Sequence, residues 1–169
     1  MRQQLLYILL MALFCTACHR VKPQAPANRP PADEQTLAAT LANMHLAEAA
    51  DKACTDWVKR SGLPFVQHPE GFWYLITQRN GTDSIRAGEA INLHYITYLP
   101  DSTMLQDVQR QVHVGKRETL TALDKLLPEL LTGQQVTILT PYYNAYADDA
   151  HEVVPHYSCC RIVVDNIDK

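Results

Sequence analysis

Hydrophobic and polar positions recur with two different periods along this chain, and the change of period divides it. From Asp33 to Arg60 apolar residues fall at Leu37, Leu41, Met44, Ala47, Cys54, Trp57 and Val58, close to helical spacing, and Gly62 stands where such a helix would stop. This predicts one amphipathic helix within 33–62, about seven turns long. Its apolar stripe should dock on its own domain, with His45 and the acidic residues on the solvated side. After Pro64 the period shortens to two. GFWYLIT (71–77) reads as a strand. EAINLHYITYL (89–99) sets Ile91, Leu93, Tyr95 and Leu99 on one face and Asn92, His94 and Tyr98 on the other, so Tyr95 faces a core. Two short extended pieces are expected at Met104 to Asp107 and Gln111 to Val114.

In TLTALDKLLPELLTG, Leu120, Leu123 and Leu127 share a helical face, Thr121 and Asp124 have the spacing of a capping box, and Pro128 ends the helix early. QQVTILT (134–140) and YSCCRIVVDNI (157–167) are further strands, the latter with Cys160, Ile162 and Val164 on one face. Strands dominate, one short helix interrupts them, and neither βαβ alternation nor an internal repeat is present. The expected class is α+β, a curved antiparallel sheet wrapped around a short helix and preceded by one long helix.

The amino terminus follows neither period. MRQQLLYILLMALFCTACHR has a positive start at Arg2, an apolar run from Leu5 to Phe14 and small residues before Cys18, the layout of a secretory signal too short to span a bilayer. Thr16, Ala17 and Cys18 resemble the lipobox of bacterial lipoproteins, with Cys15 departing from its usual aliphatic. That resemblance implies a signal peptide at 1–17 and acylation of Cys18, an anchor to which each buried methylene contributes about 0.8 kcal/mol. Residues 18–32 then form a linker, since HRVKPQAPANRPPA has four prolines and no apolar period. In an oxidising space Cys54, Cys159 and Cys160 are left, an odd number that strands one thiol. Neighbours on a strand point to opposite faces, so one of Cys159 and Cys160 is expected in the core and the other exposed, and the pair lacks the CxxC spacing of a redox site.

The chain has 169 residues and a net charge of -3, enough for one domain with a core and without a basic face for nucleic acid. Candidate chemistry concentrates in PYYNAYADDAHEVVPH (141–156). Asp148, Asp149, His151, Glu152 and His156 could suggest a metal, but they fit no standard ligand spacing, and no metal or cofactor is expected. No G-x-S-x-G elbow is present. His94 and His113 lack a nucleophile partner and should point outward from their strands, and His68, beside Pro69, should be exposed.

The order of short motifs is more specific. His94-Tyr95 in a strand, Val114 to Lys116 before a short helix, Gly133-Gln134 at a turn, a strand ending at Pro141, Ala145-Tyr146, Val153 to Pro155 and an alternating last strand together resemble the FKBP-type peptidyl-prolyl isomerase domain, over 71–168. With GFWY opening the domain, a helix before it and a lipoprotein signal, the chain is most similar to the gliding-motility-associated FKBP-type lipoproteins. The resemblance implies a proline-binding groove with Tyr95 and Tyr146 as its catalytic tyrosines, the Tyr146 hydroxyl meeting a peptide carbonyl. Leu120 would contact ligand through its backbone, and Val153 and Val154 would form a flap. Leu105-Gln106 stand where the family has phenylalanine and aspartate. Leu123 replaces the tryptophan of the groove base, Ile162 a phenylalanine and Arg110 an aromatic, and Ala147 stands for a glycine.

These replacements remove aromatic contact area and weakly polar ring edges from the groove. The implied function is a membrane-tethered isomerase and folding factor for exported proteins, weakened in activity, on the periplasmic side of the outer membrane. The alternative is an inactive FKBP-like module holding a proline-containing segment or a partner within an envelope complex. Neither the oligomeric state nor the client follows from the sequence.

Overall fold

A computed structural model describes residues 34–146 and 158–169. The leader and linker with Cys15 and Cys18, and the loop carrying Ala147, the acids and histidines of 148–156, Val153 and Val154, lie outside the described residues. The chain divides into two compact units, 1–38 and 39–169, and the second carries the sheet.

In chain order the elements are α1 (Glu34–Ser61), β1 (Val66–His68), β2 (Phe72–Gln78), β3 (Ala90–Tyr98), β4 (Met104–His113), α2 (Thr121–Leu126) with a 3-10 turn at Leu127–Glu129, β5 (Gln135–Pro141), α3 (Tyr142–Ala145) and β6 (Cys159–Asp168). All six strands join one antiparallel sheet in the order β1-β2-β5-β6-β3-β4. The class is therefore α+β as the alternation implied. β4 is one continuous strand where two pieces were expected. Its bulge falls at Leu105, skipped between the pairs Thr97↔Gln106 and Tyr98↔Met104.

Strand alternation gives the sheet an inner and an outer face. Ile91, Leu93, Tyr95, Val112, Val136, Ile138, Ile162 and Val164 cluster with Ala122, Leu123, Leu126 and Leu127, so α2 and its turn cover the inner face. The helix is short because Pro128 cannot continue it, and the chain tightens into the 3-10 turn. The capping box does not form. Leu120 occupies the cap position without a side-chain bond, and Asp124, nearly buried, accepts instead from the backbone N–H of Gly115 (2.9 Å) and Arg117 (3.3 Å). A carboxylate beside two unpaired loop amides gains more from them than from its own helix terminus.

The outer face is covered in part by the carboxyl-terminal half of α1. Ala50, Ala53, Cys54, Trp57 and Val58 recur at helical spacing, and the last four pack with Leu139, Cys159, Phe65 and Trp73. A disulfide joins Cys54 to Cys159, Cα atoms 5.1 Å apart. Docking on the domain thus holds for this half of the helix. Leu37, Leu41 and Met44 stay exposed. Among the described residues Cys160 is the free cysteine, and it is buried too, so neither member of the Cys159-Cys160 pair is exposed; burial pushes the Cys160 thiol up to about 12. His68 is also buried, not solvated. It stacks on Phe72 with ring centroids 4.3 Å apart and meets Glu129 at 3.0 Å.

Candidate functional site

At the β4 edge of the inner face, an open cavity of about 1430 Å³ lies between β3, β4, the loop before α2, and α3. Its apolar end is built by Tyr95 from β3, Val108 from β4, Leu120 at the cap of α2, and Ala145 and Tyr146 at the end of α3. Tyr95 and Val108 face each other across the two strands and so project to the same side. Tyr95 is almost fully buried and Tyr146 partly so. The Tyr146 hydroxyl donates to Thr97 Oγ1 at 2.8 Å, and burial pushes its ionisation up to about 12. It is therefore a neutral donor at any physiological pH.

The rest of the lining is polar: Arg110, Arg117, Glu118, Thr119, Asp124 and Lys125 come from β4, the loop after it and α2, and Gln106 stands on the other side of Val108, opposite Thr97. The loop between β4 and α2 is braced at both ends. Asp124 holds Gly115 and Arg117, the Arg110 guanidinium donates to the Glu118 carbonyl oxygen, and the Glu118 carboxylate accepts from the His113 backbone N–H at 2.7 Å. Those bonds to His113 hold the Glu118 carboxyl below its ordinary range. Thr119 Oγ1 is buried without a hydrogen-bond partner among the described residues. On the far rim, α3 is pinned from outside the sheet. Tyr143 donates to Asp51 of α1 at 2.5 Å, and Asn144 Nδ2 donates to the Glu70 carbonyl at 3.0 Å.

Of the residues expected at the site, Tyr95, Tyr146, Gln106 and Leu120 line this cavity. Leu105 stands beside it, in the β4 bulge, packed with Tyr142 and Tyr146 against Ala145 and Cys160. Leu123 and Ile162 are wholly buried in the inner core and do not reach the lining. Val153, Val154 and Cys18 lie outside the described residues. Val108, Arg117, Thr119 and Tyr143 were not anticipated. The alternation of β4 with β3 could have found Val108, but Tyr143 is brought in by α3, whose four residues carry no periodicity. Among the described residues no group of three or more side chains could hold a metal ion.

No protein-family model and no curated protein matches the chain. Solved structures do. The chain aligns with AtFKBP13 at a TM-score of 0.55 and 18% identity, covering 62% of this chain and 97% of that one. A peptidyl-prolyl cis-trans isomerase from Pseudomonas syringae pv. tomato aligns at 0.55 and 16%, over 73% and 96%. FkpA from Escherichia coli aligns at 0.60 and 13%, over 99% and 82%. The fold is FKBP-like. In this FKBP-like domain the helix on the inner face and the edge strand β4 leave the cavity between them, and the outer face is free to receive α1.

Proposed function

We propose that the FKBP-like domain binds proline-containing segments of exported proteins in this cavity and turns their X-Pro bonds, with reduced efficiency. The observation that carries this reading is the apolar end of the cavity, where Tyr95, Val108, Leu120 and Ala145 surround a space beside the neutral Tyr146 hydroxyl. Turning an X-Pro bond needs no nucleophile. Its barrier of about 20 kcal/mol comes from lost amide resonance, while its two end states differ by only about 1 kcal/mol. A dry pocket that holds the ring and favours the twisted amide lowers that barrier by differential binding. Tyr146 would donate to the carbonyl of the bound segment after leaving Thr97.

A binding module without catalysis is the second reading. It is favoured by the engagement of Tyr146 with Thr97 and by the burial of Leu123 and Ile162, which leave Tyr95, Tyr143 and Tyr146 as the aromatic rings on the lining. Exchange spectroscopy on an X-Pro peptide separates the two. Acceleration by the full chain that falls with Tyr146→Phe supports the enzyme, whereas binding without acceleration leaves the module.

We place the protein on the periplasmic side of the outer membrane, held by lipid on Cys18, in the manner of the gliding-motility-associated FKBP-type lipoproteins. The lipobox-like Thr16-Ala17-Cys18 and the disulfide of Cys54 with Cys159, which needs an oxidising compartment, support this. A Cys18→Ala precursor that is still acylated would refute it.

A further inference from the structure

The β4 wall of the cavity breaks the rule that its own strand sets. Gln106, Val108, Arg110 and Val112 share the inner face, opposite Thr97, Tyr95, Leu93 and Ile91, which are all buried. Arg110 faces the buried Leu93 across the pair yet is itself exposed on the edge strand, where a charge also guards the edge against further pairing. Arg110 lines the cavity, and among the described residues its fork of about five N–H donors makes one hydrogen bond, to the Glu118 carbonyl, with the Glu118 charge also acting on it.

Arg117 also lines the cavity, with φ at 58°, a left-handed conformation uncommon outside glycine, and the bond from its N–H to Asp124 holds that backbone. Its guanidinium has no ion-pair or hydrogen-bond partner among the described residues.

The carboxylates at the mouth are engaged elsewhere. Both oxygens of Asp124 accept loop amides, Glu118 turns to His113, and Asp107 turns to His94, the two histidines being on the outer alternation of their strands. Their charges remain, balancing Arg110, Arg117 and Lys125 on the lining, but their acceptor oxygens are taken, whereas the two guanidinium groups keep N–H donors for an occupant.

We propose that the cavity selects proline-containing segments that carry a carboxylate on a residue next to the proline, read by Arg110 and Arg117. This rests on the cavity being the proline site. If the ring sits at Tyr95 and Val108, the next inner position of β4 is about 6.6 Å further on. A bound chain advances about 3.8 Å per residue between Cα atoms, so Arg110 comes within reach of a side chain next to the proline. Guanidinium suits a carboxylate because two parallel N–H donors match its two oxygens. Arg110 and Arg117 are exposed, so the preference weakens with salt.

The test uses the full chain and two peptide series, Ala-Xaa-Pro-Phe and Ala-Leu-Pro-Xaa, with Glu, Gln or Lys at Xaa. Affinity is read by NMR titration and isomerisation by exchange spectroscopy on the same samples. At low ionic strength the Glu member of at least one series should bind about tenfold more tightly than its Gln counterpart, with Lys weakest. The gap should close in roughly 1 M salt. The double variant Arg110→Glu/Arg117→Glu should invert the order in favour of Lys, a change that general loss of structure cannot produce. Equal affinities, Lys binding best in the native protein, an order unchanged in the double variant, or no binding in either series would overturn the inference. Discrimination without acceleration of exchange would remove the isomerase reading and leave this one standing. Acceleration without discrimination would do the reverse.

Discussion

Breaking the bridge between Cys54 and Cys159 should cost the domain a large part of its stability. The two cysteines are 105 residues apart in sequence, and the bridge ties α1 to the first residue of β6. In the chain-entropy model a closed loop of that size restricts the unfolded chain by about 4.8 kcal/mol at 25 °C. Residual structure in the unfolded state reduces this, and the half-buried Ala53, Trp57 and Val58 still hold the helix when the bond is gone. The expected loss is about 3 to 5 kcal/mol, or roughly 10 to 15 °C in Tm for a domain of this size.

The assay is urea unfolding of the native protein and of Cys54→Ala/Cys159→Ala, each with and without dithiothreitol. The reductant should lower the midpoint of the native protein to that of the double variant and leave the variant unmoved. Amide exchange should quicken first in α1, which this bridge, one apolar cluster and the Tyr143–Asp51 hydrogen bond attach to the domain. A loss under about 1 kcal/mol, set against the entropy expected of such a loop, would refute the role assigned to the bridge.

Three further outcomes follow from single sites. His94 meets a carboxylate at each ring nitrogen, Asp107 at 2.7 Å and Asp165 at 2.6 Å. Carboxylates only accept, so both nitrogens must carry protons, and the hydrogen bond to Asp107 leads in raising the ring above the ordinary histidine range. That stabilisation is complete below the unfolded value and is lost as pH rises through the raised folded one. The urea midpoint should therefore fall across that window more steeply in the native protein than in His94→Gln, and parallel profiles would contradict the assignment. Asp124→Ala strips the acceptors from Gly115 and Arg117 and should cost about 2 to 3 kcal/mol by denaturant titration, with faster amide exchange from 114 to 120. Gly81→Ala would set a Cβ 2.3 Å from Leu131 Cβ, so it should destabilise by about 1 to 3 kcal/mol.

How far the fold could be read from sequence varied with how local its causes are. The two-residue period of β3, and of β6 from Cys160 to Val164, matches the burial seen, because one face of each lies on α2; Cys159 breaks it because α1 covers the other face there. β4 reads as two pieces because Gln109 and Arg110 interrupt the alternation between them, Arg110 standing at an inward position opposite Leu93 where the pattern expects an apolar residue. β1 has three residues and pairs only with β2, too little for a period. The apolar stripe of α1 was visible along its whole length, but only the end near Cys54 meets the sheet. The partner of Cys54 depends on β6 coming beside α1, which spacing along the chain does not reveal. His68 looked solvated from its neighbours in sequence, and its contacts with Phe72 and Glu129 come from the β1-β2 pairing and from a residue 61 positions away. At the site, Tyr95 and Tyr146 were legible as motif residues. Leu123 and Ile162 were expected in the groove by position in the motif, but their size leaves them inside the core.

The most direct measurement of the central claim is a residue-resolved NMR titration of the full chain with a prolyl tetrapeptide. The account predicts saturable shifts concentrated at Tyr95, Val108, Leu120 and Tyr146, and these should be lost with an Ala-for-Pro control peptide. Shifts confined to the exposed Leu41 and Met44 of α1, or equal shifts with the control, would contradict it.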